Sequence, residues 1–252
     1  RLLPSTRIQY VTLNVRPTLA GKPNPMADLK VRQAMNYAVN KQAIIQIVTH
    51  GVGTPLTSYM SSATPLHTGT TPLYPVDVAK AKSLMQEARL AQGFEATLLT
   101  LAGNQDEIGI ATALQQMWGA IGIKLTIQQV DNASRTQQYR DGTFPMRLSA
   151  WTDDIADPNE ITSYFVYSPT IQALHTEWKS PEADTLFEAS QKELDPAKRA
   201  EDYAKIQDIY NSTGPTVPLY ETPYPVALAK RVQGFLQIPL GNNIFRATWL
   251  RK

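Results

Sequence analysis

The chain has 252 residues, 42% of them hydrophobic and 18% charged, which is enough for a sizeable core in one large domain or one and a half ordinary ones. Lysine plus arginine number 24 and aspartate plus glutamate 22, a balance that argues against the clustered basic excess of a nucleic-acid surface. There is no cysteine, which excludes a disulfide framework and thiolate metal sites and fits an extracytoplasmic protein. No apolar run approaches the ~20 residues of a membrane span, and no signal peptide is visible. The opening Arg1-Leu2-Leu3-Pro4 reads as a cut made upstream of a strand.

In chain order, Ile8 to Val15 is rich in β-formers and predicts a strand. Asp28 predicts an N-cap before Leu29, Val31, Ala34, Met35, Ala38 and Val39, which recur at helical spacing. Asn40 predicts the cap of a second helix, through Ala43, Ile44, Ile47 and Val48, stopped by Gly51. Residues 52–76 are rich in Pro, Ser and Thr; a loop this long is commonly functional or pinned to another surface. Asp77 opens a third helix with Val78, Ala81, Leu84, Met85 and Ala88 on one face. A strand from Glu95 to Leu101, a helix from Ile108 to Ile121 and a strand from Ile123 to Ile127 predict a parallel pair with a right-handed crossover. Asn132 is placed as the cap of a short helix to Arg140, followed by an alternating strand, Met146 to Ala150. Ser180-Pro181-Glu182 and Asp195-Pro196 each mark a helix start with proline at the first position. Val217 to Tyr220 and Val226 to Ala229 read as closing strands. The alternation of strands and helices places the chain in the α/β class, with a mixed sheet flanked by helices.

Trp151-Thr152-Asp153-Asp154-Ile155-Ala156-Asp157-Pro158 is the chemically richest stretch. A strand ends by releasing an aromatic and three carboxylates into a loop. Asp157 reads as an N-cap, with Pro158 at N1 and Glu160 at N3 of a capping box. Asp153 reads as a solvated loop residue. Taken alone, Asp154 reads as a loop aspartate bonded to its own backbone and Trp151 as a core aromatic. A metal site has little support: the acids lack the alternate ligands and mid-loop glycine of a calcium loop, and His50, His67 and His175 form no ligand pair. His67 is expected at the surface. There is no nucleophile elbow, phosphate loop or zinc-protease motif, and adjacent Asp153 and Asp154 do not suit an acid/base pair flanking one bond. No cofactor is expected.

The segment from Asp28 to Lys41, with Val31-Arg32-Gln33-Ala34, Tyr37-Ala38-Val39 and Asn40-Lys41, resembles a signature of the peptide/nickel family of extracellular solute-binding proteins, which deliver cargo to ABC importers. Gly51-Val52-Gly53-Thr54-Pro55, Tyr74 to Met85, Ile121 to Leu125, the Trp151 loop and Pro218-Leu219-Tyr220 fall in the same order as in that family. Its members are longer, and the chain is similar to their C-terminal lobe alone. The resemblance implies one lobe of a two-lobe, type II periplasmic-binding-protein-like fold. Residues 1–230 would form the lobe and 231–252 a tail returning toward the missing N-terminal lobe. Val11–Val15 and Val226–Ala229 would lie close to the hinge.

The implied function is capture of a peptide or similar amine-bearing solute between two lobes, outside the cytoplasm, by a monomer that serves ABC permease subunits. A signalling or chaperone derivative of the same fold is the alternative. By motif position, Asp154 would hold a peptide α-ammonium and Trp151 would be the cleft aromatic. Some relatives place an arginine three residues before the tryptophan. Here that position is Leu148, and Arg147 is expected to point to the opposite face of the strand. Residues Leu99 to Asn104 also lack an arginine that dipeptide binders carry. The resemblance thus implies the ammonium half of peptide recognition and not the carboxylate half, so the carboxylate contact would come from the missing lobe or the cargo would not be a peptide with a free C-terminus. Di- and oligopeptides, glutathione-like peptides, nickel chelates and opines all fit the family.

Overall fold

The computed structural model describes residues 1–69 and 73–252. The chain enters through a short strand, β1 (Leu2–Leu3), and forms β2 (Ile8–Leu13), two residues shorter than the β-rich run. A small hairpin of β3 (Thr18–Leu19) and β4 (Lys22–Pro23) precedes α1 (Leu29–Tyr37) and α2 (Lys41–Thr49). The caps are those expected: Asp28 accepts from the Lys30 N–H at 2.8 Å and Asn40 from the Ala43 N–H at 2.9 Å. Helix α2 stops where His50 and Gly51 turn into left-handed backbone, at φ 53° and 86°.

The loop that follows is pinned, as its length suggested. Its strand β5 (Thr54–Pro55) joins the sheet edge, and Leu56, Tyr59 and Met60 are buried. The Lys41 ammonium donates to the Leu56 carbonyl at 2.7 Å, and Gln207 holds both Ser58 and Leu66.

Asp77 caps α3 (Val78–Glu87). The predicted β-α-β unit is β6 (Phe94–Leu101), α4 (Gln105–Gly119) and β7 (Ile123–Val130), with β6 and β7 parallel along their whole length. Helix α4 begins earlier than its apolar pattern indicated. Asn104 caps it by accepting from the Glu107 N–H, and the Glu107 carboxylate turns back onto the Leu101 N–H, a relative of the capping box. Helix α5 (Asn132–Arg140) is capped by Asp131, one residue before the position assigned from sequence. Strand β8 (Met146–Trp151) leads to α6 (Asn159–Phe165) and α7 (Ser168–His175). Helices α8 (Pro181–Ser190) and α9 (Pro196–Thr213) start at the two predicted Pro sites, and β9 (Thr216–Glu221) returns to the sheet. Beyond it, β10 (Tyr224–Pro225) pairs with β1, and the strand expected at Val226–Ala229 is irregular backbone instead. The tail folds into two small antiparallel pairs, β11 (Val232–Gln233) with β14 (Trp249–Leu250) and β12 (Leu236–Gln237) with β13 (Asn243–Ile244).

The main sheet has the order β5-β9-β2-β8-β6-β7. Alternation along its strands feeds two cores. Val11, Leu13, Met146, Leu148, Val217 and Leu219 pack with α1 to α4 on one face. Ile8 and Tyr10 pack on the other face with Phe165, Phe187, Tyr203 and Tyr210 of α6, α8 and α9. The result is a three-layer α/β/α unit. Strands β6, β7 and β8 run in parallel and end on one edge, where β2 begins: Ile8 faces Trp151, and Leu13 faces Met146 at the other edge. Strands β1 and β10 lie beyond the Trp151 edge, so Val11–Val15 run away from it. The edge at the carboxyl ends of parallel strands is where α/β sheets present their loops to ligands.

Candidate ligand-binding site

Trp151 is the last residue of β8, half-buried, with its ring 4.9 Å from Tyr164 and 5.8 Å from Phe165. It is neither a sealed core residue nor a free surface one. The three loop carboxylates have separate roles. Asp153, expected in solvent, is only 1% exposed. Its Oδ1 accepts from the Trp151 indole N–H at 2.8 Å and its Oδ2 from the Thr64 hydroxyl at 2.7 Å, while its own N–H donates to Thr6 Oγ1 at 3.0 Å. Burial raises its pKa above the ordinary carboxylate value, against the lowering effect of the Thr64 and Trp151 hydrogen bonds. The sequence offered no sign of this, because both threonine partners, the donor Thr64 and the acceptor Thr6, lie far away along the chain.

Asp157, expected to be the N-cap of α6, lies one residue ahead of it: the N-cap is Pro158, whose side chain makes no capping hydrogen bond, and Asp157 accepts from the Asn159 N–H at 2.9 Å. It also pairs with Arg199 of α9 at 2.8 Å. Burial raises the Asp157 pKa, but the Arg199 and Asn159 hydrogen bonds outweigh it and hold the carboxyl below its usual range. Glu160 does not complete the capping box. Its Oε2 accepts from the N–H groups of Asp154 and Ile155 at 2.8 and 3.0 Å, which folds the loop back over the start of α6. Asp154 is exposed at the crest of that turn, and among the described residues its side chain has no hydrogen bond or ion pair. Its two neighbouring acids are engaged; it is the loop carboxylate left facing outward.

Strand parity brings in a residue that the sequence reading set aside. Leu148 is fully buried in the first core. Arg147, Ser149 and Trp151 share the opposite face and line one cavity of about 260 Å³ with Tyr10, Tyr139 and Thr136. Arg147 therefore points away from Leu148, as expected, but toward the side of Trp151. Its guanidinium lies 4.3 Å from the Tyr139 ring centroid.

Among the described residues, no group of three or more His, Cys, Asp and Glu is placed to hold a metal ion, and no helix is long and apolar enough to cross a membrane. His67, expected at the surface, is half-buried, with a ring nitrogen 3.3 Å from Thr57 Oγ1. Burial lowers its pKa.

Comparison with known proteins places this architecture. Residues 2–173 match the family described as bacterial extracellular solute-binding proteins, family 5. The chain belongs to that family, a family of solute-binding proteins and not of enzymes, and the resemblance carried by Asp28–Lys41 is borne out. It is 29% identical over 247 residues to a dipeptide-binding protein of Pseudomonas aeruginosa, covering 96% of this chain and 45% of that protein. It is 28% identical to heme-binding protein A of Haemophilus influenzae, covering 94% and 43%. Among solved structures, HbpA2 of Haemophilus parasuis superposes with a TM-score of 0.88 at 27% identity, over 100% of this chain and 50% of that one. A Pseudoalteromonas dipeptide-binding protein in complex with Met-Leu superposes with a TM-score of 0.84 at 22% identity, which bears on the fold alone. The chain thus spans about half the length of the relatives it matches, and its fold corresponds to one lobe.

Proposed function

We propose that this lobe supplies one wall of the cargo cleft of an ABC importer's solute receptor, and that Trp151 and Asp154 hold the amine end of a peptide-like solute. The observation that carries this reading is the division of labour in the Trp151 loop. Asp153 and Asp157 are engaged by Thr64, Trp151, Asn159 and Arg199, and Asp154 is left exposed beside a half-buried aromatic. A carboxylate in a cleft that closes and dries makes charge-assisted hydrogen bonds to an ammonium, and the indole adds an apolar face and a cation–π contact.

Dipeptide- and glutathione-binding proteins among the relatives support a peptide-like cargo. The second lobe, from sequence outside this chain, would close from the opposite side, with the crossings at Pro4–Arg7 and Thr222–Pro223. Those segments join β1 and β10 to the Trp151 edge. The receptor would work in the periplasm or anchored outside the cell, with permease subunits as its downstream partners. The test is calorimetry on the full-length protein with peptides carrying free or acetylated N-termini. Asp154→Ala is expected to weaken binding of the free-amine peptide at least about tenfold and to leave the acetylated one unchanged. Equal binding by both proteins would remove the amine-anchor role.

A further inference from the structure

We infer that the cavity beside Trp151 is an anion subsite that takes a carboxylate of the cargo, with Arg147 as its cation. This goes beyond the amine anchor and rests on the Trp151 edge being the cargo wall.

The argument begins with charge. Burial lowers the pKa of Arg147, and its Nε is buried with no hydrogen-bond partner. Among the described residues, its guanidinium makes no ion pair and no hydrogen bond; the flat contact with Tyr139 is its compensating interaction. A guanidinium removed from water in this way is costly unless something pairs with it.

The surroundings do not supply the missing charge. Arg135, on α5, is already paired with Glu107 at 2.9 Å. His175 packs edge-on against Tyr139 at 4.6 Å, and its pKa is lowered by burial first and then by Arg16 and Arg147. Asp153, the buried carboxylate that follows β8, is not among the lining residues and is held by Trp151 and Thr64. The field in the cavity is therefore positive.

The walls suit a small anion. Tyr10, Ser149 and Thr136, each carrying a hydroxyl, are among the residues that line it with Arg147. These are donors able to share a planar carboxylate with the Arg fork. About 260 Å³ falls short of the ~300–1,000 Å³ of pockets that enclose a whole ligand, so the cavity fits the end of a solute. Trp151 lines this cavity, and Asp154 follows it by three residues in the exposed loop, so the two subsites would share the Trp151 end of β8. Position 147, four residues before the tryptophan on the same strand face, thus offers the carboxylate contact absent at position 148.

The experiment uses the full-length protein and four probes: alanyl-alanine, its C-terminal amide, its N-acetyl derivative and alanyl-glutamate amide. Wild type is expected to bind alanyl-alanine at least about tenfold more tightly than the amide, and Arg147→Met to abolish that ratio. Recovery of Arg147-dependent affinity by alanyl-glutamate amide would identify a side-chain carboxylate as the group read, and failure to recover it the C-terminal one. Methionine fills similar space without a buried charge. If that variant nonetheless fails to fold by circular dichroism, Arg147→Lys, which keeps the charge and loses the fork, is expected to reduce the ratio. Wild type with no acid-over-amide preference, a variant that retains the preference, or no binding of any probe would overturn the proposal. Loss of the free-over-acetyl preference alone would instead reject the amine anchor and leave Arg147 standing.

Discussion

The indole N–H of Trp151 donates to a carboxylate oxygen of Asp153 at 2.8 Å, two residues along the chain and out of contact with solvent. The aromatic at the end of β8 is thus oriented by a buried acid. Trp151→Phe would keep the ring against Tyr164 and Phe165 and remove the donor. Leaving a buried carboxylate short of one of its two side-chain donors is expected to cost about 1–3 kcal/mol, read as a lower urea midpoint. The same substitution in an Asp153→Ala background should cost clearly less. Equal losses in the two backgrounds would show that the hydrogen bond contributes nothing.

Asp153 also sets a pH dependence whose sign is fixed by the direction of its shift. Its folded pKa lies above the ordinary value of 3.8, so the folded state holds the proton more tightly than the unfolded chain. The site opposes folding most above the folded pKa, where a charge is buried. That opposition fades as pH falls from the folded pKa toward 3.8. Wild type should therefore gain stability relative to Asp153→Asn over that acidic window, in paired urea titrations. A gap that stays constant, or moves the other way, would contradict the raised pKa.

Two glycines separate backbone conformation from crowding. Gly93 and Gly103 have nearly the same left-handed φ, 77° and 80°. A Cβ on Gly93 would lie 1.8 Å from the Gly122 carbonyl oxygen, whereas one on Gly103 meets nothing within 4 Å. Gly103→Ala is expected to cost about 1 kcal/mol from φ alone. Gly93→Ala should cost about 2–4 kcal/mol, because the β6 and β7 entries must also move apart. Thermal melts that rank the two equally would deny the close approach of these backbones.

Residues 1–252 alone are expected to bind a peptide that saturates the full-length protein at least about a hundredfold more weakly, since one wall cannot dry the cleft. Calorimetry on both proteins checks this. Matching affinities would show that the cargo is held by this lobe alone.

The elements legible in the sequence are those whose determinants are local. Asp28, Asn40, Asp77, Ser180 and Asp195 all cap the helices they announce, because a cap is decided within four residues. The parallel pairing of β6 with β7 followed from the helix between them. What the sequence hid was long-range. Asp153 is buried by Thr6 and Thr64, and Glu160 folds the loop in place of closing a box on Asp157. Neither follows from spacing. Arg147 is different: the 147-149-151 parity that puts it on the side of Trp151 is present in the alternation of the strand itself. The start of α4 was likewise readable from Asn104 and Glu107, whose capping chemistry lies just before the apolar stripe.

The junction at Asp153 has a consequence for how the chain is made. Its side chain joins Thr64, 89 residues earlier, and its N–H joins Thr6, 147 residues earlier. Thr6 in turn donates its own N–H to the Pro239 carbonyl. Contacts of such long separation pay their loop-closure entropy before they return anything, so they form late. During synthesis the β-α-β core can assemble while the seat of Trp151 still waits for Pro239 to emerge. The Trp151 edge is then among the last parts of the lobe to acquire its shape, and a chain released too early would carry a folded core beneath an unfinished edge.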